Sequence, residues 1–111
     1  MSFHRTHILG NLGDDPEVKI GSTGTARTTF RVAVNDRWTG ADGQAKEHVE
    51  WYRCMCFGRL AEVVGEHLHK GSRVFVDGKQ RTRSWQDDTG QQRYITELHA
   101  ETVEFLDGRR D

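Results

Sequence analysis

Along most of the chain apolar and polar positions trade places with a period of two, and in one stretch the period changes. "RTTFRVAVN" sets Thr28, Phe30, Val32 and Val34 against Arg27, Thr29, Arg31 and Ala33. "VEWYRCMCF" sets Tyr52, Cys54 and Cys56 against Trp51, Arg53, Met55 and Phe57. "RVFVDGKQRTRSW" alternates from end to end, with Arg73, Phe75, Lys79, Arg81, Arg83 and Trp85 in one phase. Successive strand side chains point to opposite faces, so each run predicts a strand with two unlike faces. "HILGNLG" predicts a first strand from about Phe3 to Leu12, "DDPEVKIGSTGTA" a short strand around Val18 and then a turn. A last strand is predicted from Arg93 to about Phe105, after a turn at "QDDTGQQ". "RWTGADGQAKEH", polar apart from Trp38, predicts a flexible loop.

The period changes in "GRLAEVVGEHLHKG", where Leu60, Val63, Val64, His67 and Leu68 recur at three and four and Gly71 follows as a stop. That is one helix. With Val18 to Asn35 taken as one interrupted hairpin, the chain holds five strands, with the helix between the third and fourth. This is the element count and order of an all-β, five-stranded OB-fold barrel. Period-two runs with a single helix argue against doubly wound and bundle folds.

A chain of 111 residues supports one domain with a single modest core. No apolar run approaches the roughly 18 residues of a membrane span, and "MSFHRTHILG" lacks the apolar region of a signal peptide. A cytoplasmic chain without a membrane partner is the expectation. Cys54 and Cys56 agree with it, because two residues apart on a strand their Cα atoms lie about 6.6 Å apart, at the outer edge of disulfide reach. Zinc held by these cysteines with His67 and His69 has no standard spacing, and buried core thiols are the plainer reading. Neither a metal nor a cofactor is expected.

The formal net charge is −1, so the whole-protein field says little about a partner. Its distribution says more. From Trp51 through Trp85, seven cations stand against three carboxylates, a net of +4, while acid collects at Asp14, Asp15 and Glu17 and after Glu97. The cations also alternate with aromatics on two strands. Burial accounts for an isolated Trp or Phe, but a buried cation needs a partner, and Asp77 is the one carboxylate in phase with the second stripe. Single-stranded nucleic acid accounts for the combination directly. Its bases stack on indole and phenyl rings, and its phosphates follow alternating cations.

Enzyme motifs are missing or broken. "GEHLHKGS" reads Lys-Gly-Ser where a phosphate-binding loop needs Gly-Lys-Ser, and "HAE" at His99–Glu101 is not followed by Pro-Cys-x-x-Cys. No enzyme is expected.

"GNLGDDPEV", "EWYRCMCFGRLAEVVGEHLHKGSRVFVDGKQRTRSW" and "TGQQRYITEL" closely resemble the bacterial single-stranded DNA-binding protein family, over about Ile8 to Leu106. The resemblance implies an OB-fold domain over residues 1–106 that assembles as a homotetramer. It also implies wrapping of unpaired strands in replication, recombination and repair. It puts base stacking on Trp38, Trp51, Phe57 and Trp85, and phosphate contacts on Arg53, Arg59, Lys70, Arg81 and Arg83. The alternation adds Lys79. The family usually continues into a Gly/Pro/Gln-rich linker and an acidic tip that recruits replication and repair proteins. Here residues 107–111 read as a short polar end, "DGRRD", without that tip. The residue after Trp51, often His near a subunit interface in the family, is Tyr52. A dimeric primosome-type accessory protein is the nearest rival, but it tends to lose the tryptophans. An OB-fold subunit that binds only proteins is the rival from another class, and stacking alone does not separate DNA from RNA.

Overall fold

The computed structural model describes residues 1–107, so all of the expected polar end at 107–111 except Asp107 lies outside the described residues. Six strands and one helix follow in the order β1 (Thr6–Leu12), β2 (Glu17–Ile20), β3 (Ala26–Thr39), β4 (Ala45–Phe57), α1 (Gly58–His67), β5 (Arg73–Gln86) and β6 (Gln92–Phe105). The sheet runs β1-β5-β6-β4-β3-β2, and β1 also pairs with β3. That last pairing closes five strands into a barrel, with the short β2 laid along β3 alone. The fold is the expected OB barrel, with the helix between its third and fourth long strands.

The alternation explains the core. Phe30 and Val32 of β3, Cys54 and Cys56 of β4, Val74 and Val76 of β5 and Leu98 of β6 all point inward and are buried with Ile8 and Leu12. Thr28 shares that phase, and its hydroxyl donates to the Ala61 carbonyl at 2.7 Å, which ties α1 across the barrel end. Ala61 and Val64 carry the helix's buried face. The cysteines are fully core, so burial pushes the Cys54 thiol up to about 12 and the Cys56 thiol up to about 11. Among the described residues no cluster of three or more His, Cys, Asp or Glu could hold a metal ion.

Three expectations need correction. "RWTGADGQAKEH" is not a flexible loop. β3 and β4 stay paired from Arg27↔Phe57 to Thr39↔Ala45, leaving only a Gly40–Gln44 turn, so Trp38 lies on a strand opposite Lys46. A two-stranded ribbon leaving the barrel is wet on both faces, and its backbone ladder forms without an apolar pattern to announce it. The first strand begins at Thr6 rather than Phe3, because its partner register ends at Gly78. Gly71 does not stop the helix. α1 ends at His67 with Leu68 as an extended cap, and Gly71, at φ +91, serves the following turn.

Two glycines sit where barrel strands press together. A Cβ on Gly10 would lie 2.2 Å from the Ala33 carbonyl oxygen, and one on Gly78 would lie 2.1 Å from that of His99. Gly78 flanks an irregularity in the β5–β6 register, where Asp77 faces Thr102 but Gly78 faces Ala100. Gly10→Ala and Gly78→Ala should each lose roughly 1–3 kcal/mol of folding stability in urea denaturation. Gly21→Ala, whose Cβ meets nothing closer than 3.6 Å, should stay within about 0.5 kcal/mol of the parent.

Candidate nucleic-acid interface

Strand registers carry the two cation–aromatic stripes onto one surface. On β3, Arg27, Thr29, Arg31 and Ala33 face Phe57, Met55, Arg53 and Trp51 of β4. Met55 faces His99 of β6 across the parallel β4–β6 seam. His99, Glu97, Ile95 and Arg93 in turn face Lys79, Arg81, Arg83 and Trp85 of β5. Directly paired residues share a face, and the alternate residues form the core, so this set is the outside of the barrel.

Glu97 joins the stripes. Its carboxylate is 1% exposed and accepts from Arg53 Nε at 3.0 Å and from Arg83 Nε at 2.8 Å. Burial pushes the Glu97 carboxyl up, but the hydrogen bonds from Arg83 and Arg53 outweigh burial and hold it below the ordinary glutamate range. Both guanidiniums are thereby fixed in orientation while remaining half-exposed, at 42% and 56%. Asp77, the partner expected for the stripe, is taken instead by Arg5, through Nε at 2.9 Å and Nη2 at 2.6 Å, and by His7. Arg5 holds the Asp77 carboxyl below its usual range.

Each candidate ring is about half-exposed: Trp38 52%, Trp51 50%, Phe57 50% and Trp85 43%. None is a core residue. The Arg83 guanidinium lies 5.4 Å from the Trp85 ring centroid, and Phe57 packs beside His99 with centroids 6.0 Å apart. Trp51 is held from two sides, by the Arg31 guanidinium at 4.8 Å and by Gly13, whose added Cβ would lie 2.4 Å from the indole. Beside Trp85, the "QDDTGQQ" turn is built on Asp87, whose carboxylate accepts from Thr89 and Arg93 and is held at about 2 by those bonds.

A family model described as "Single-strand binding protein family" matches residues 3–106. The chain belongs to this family. It is 41% identical to "Single-stranded DNA-binding protein 1" of Xylella fastidiosa (strain 9a5c) over 111 residues, covering 99% of this chain and 82% of that relative. Its fold superposes on the solved "Plasmodium falciparum SSB complex with ssDNA" with a TM-score of 0.89 at 28% identity, covering 96% of this chain and 97% of that one.

Within this single-strand binding fold the expected site residues do not all come together. Trp51, Phe57, Trp85, Arg53, Lys79, Arg81 and Arg83 share the outer face. Trp38 does not. The unbroken β3–β4 register puts it in phase with Val32 and Tyr52, on the opposite side of the ribbon from Trp51. Arg59 lies on the first turn of α1 paired with Glu62 at 3.3 Å, and Lys70 lies in the turn after α1, its N–H donating to Asp15. Neither pairs with a residue of the outer face. Met55, read with the exposed set, is 7% exposed, covered where the β4–β6 seam closes. Sequence reasoning missed Glu97, Arg27 and Arg31. Arg27 and Arg31 had a visible signal, since they alternate with Thr28, Phe30 and Val32. Glu97 had none, because its partners lie 44 and 14 residues away.

Glu97 also makes stability pH-dependent. Its folded pKa is depressed, so its contribution is complete above the unfolded value of about 4.3 and is lost as pH falls through the lower folded value. Asp77 and Asp87 titrate in the same direction. The parent should therefore lose more stability between about pH 5 and pH 2 than Glu97→Gln, measured as urea midpoints across that range.

Proposed function

We propose that this protein binds single-stranded DNA with little regard to sequence, through Trp51, Phe57 and Trp85 as stacking platforms and Arg53, Lys79, Arg81 and Arg83 as phosphate contacts. The observation that carries this reading is the single outer face on which half-exposed rings alternate with cations, with Glu97 fixing two of the cations. Bases have π-faces whatever their identity, and duplex pairing hides those faces, so such a surface favours unpaired strands. Lys79 and Arg81 form no ion pair among the described residues, which leaves their full charge for phosphates. Trp38, with Arg37 and Lys46 beside it on the protruding ribbon, extends the path onto a second side. Arg59 and Lys70 guide strand leaving the face, toward α1.

The protein acts as a binding protein, not an enzyme, and it protects and organises unpaired strands in replication, recombination and repair. We place it in the cytoplasm with the nucleoid. No helix among the described residues is long and apolar enough to cross a membrane. Four copies assembling around one strand are the proposed form. Leu9, 45% exposed on the outer side of β1 beside Phe75, offers an apolar contact for a second copy. Sedimentation equilibrium should give a tetramer; a dimer would favour the primosome-type reading.

The decisive experiment is a titration of intrinsic fluorescence with oligo-dT across a salt series, beside duplex of equal length. Single strand should bind more tightly, with log affinity falling by roughly 0.7 per phosphate contact for each unit of log salt. Trp85→Ala should weaken binding by ~1–3 kcal/mol with little change in slope, whereas Lys79→Ala should flatten the slope. Melting temperatures of both variants should stay near the parent, since neither side chain is core. Equal affinity for single and double strands would refute the reading.

A further inference from the structure

Arg31 and Arg53 stand directly opposite each other on β3 and β4, an arrangement that repels unless each cation has its own counter-charge. Each has one, and the two counter-charges differ in kind. Glu97 is buried and belongs to the barrel wall. Asp14 is 58% exposed on the loop after β1 and accepts from Arg31 Nε at 2.8 Å and from Nη2. We propose that Asp14 occupies the position on Arg31 that a nucleic-acid phosphate takes, so that single-strand binding exchanges one carboxylate for one phosphate beside Trp51. The proposal rests on the stacking face described above and adds a residue that regulates it.

Geometry supports the exchange. The guanidinium lies 4.8 Å from the Trp51 centroid, so a phosphate on Arg31 sits next to a base stacked on that ring. The loop itself stays put. Gly13 presses on the indole and its N–H donates to the Arg31 carbonyl at 3.1 Å, so only the Asp14 side chain has to turn away. A cavity of about 240 Å³ lies between Asp14, Asp15, Glu17, Arg31 and Arg53, with room for a phosphate group. The other two carboxylates are engaged elsewhere, Asp15 by the Lys70 N–H at 2.8 Å and Glu17 by Lys19 at 3.2 Å. An exposed ion pair contributes little, and a phosphate can take over the two guanidinium bonds that Asp14 now accepts, so the exchange costs little at this pair while the neighbouring stack on Trp51 adds to the ligand's side. Glu97 cannot leave in the same way, because at 1% exposure it would remain buried as an unpaired charge.

The test is a double-mutant cycle on oligo-dT affinity at low salt, with melting temperatures recorded for each variant. Asp14→Asn should tighten binding roughly two- to five-fold, the range of one exposed ion pair, with an unchanged melting temperature. In an Arg31→Ala background the same change should alter affinity by less than about 1.5-fold, because no cation is left to unmask. An equal gain in both backgrounds overturns the exchange and makes Asp14 a general repellent of phosphates. No gain, or a loss, overturns it as well. Trp51→Ala keeps the two ideas apart. If it weakens binding while Asp14→Asn changes nothing, the exchange fails and the stacking face stands; if it binds like the parent, the stacking face fails too.

Discussion

Between β4 and β6 the backbones meet through only two residue pairs, Cys54↔Leu98 and Met55↔His99, and then the strands splay apart as each joins its own hairpin. Everything that makes a continuous surface out of two hairpins depends on this short seam. Glu97 spans it. A single buried carboxylate reaches Arg53 on β4 and Arg83 on β5, so the side chains bridge where the ladder stops. Such a carboxylate is costly to bury alone and favourable when two guanidiniums satisfy it, which couples the barrel's closure to the orientation of its cations.

The arrangement divides the cations into two kinds. Arg53 and Arg83 are fixed and partly neutralised, which suits residues that set the direction of a bound strand. Lys79 and Arg81 form no ion pair among the described residues, which is what the proposed phosphate contacts need. Arg31 lies between these cases, paired with the exposed carboxylate of Asp14 rather than with a buried one. The rings follow the same logic: Trp51 and Trp85 are braced by arginines, Trp51 also by Gly13, and Phe57 packs beside His99, while each stays about half-exposed.

Much of this was legible beforehand. The alternation of Thr28, Phe30 and Val32, of Tyr52, Cys54 and Cys56, and of Val74 and Val76 determined which side of each strand is core, because a buried face is mostly apolar and a hydroxyl on it, as on Thr28, must find a partner such as the Ala61 carbonyl. The switch of period after Phe57 determined the single helix, and the Lys79–Trp85 stripe determined that an unusual surface exists. What alternation could not supply is any relation between strands. The β3–β4 ribbon past Asn35 has no buried face, so nothing in its side chains marked it as strand, and Trp38 was misread as a loop residue.

Register is a property of pairs, set by backbone bonds and by the shape of the closed barrel, and it decided the remainder. It put Trp51 and Trp85 on one face and Trp38 on the other, and it left Arg59 and Lys70 off that face. It took Asp77 away from its own stripe to meet Arg5, and it brought Glu97 to two arginines remote in the chain. Residue types determined what chemistry this protein can offer a partner. Only the tertiary structure decided which of those residues act together, because electrostatic and stacking contacts depend on distances that sequence separation does not measure.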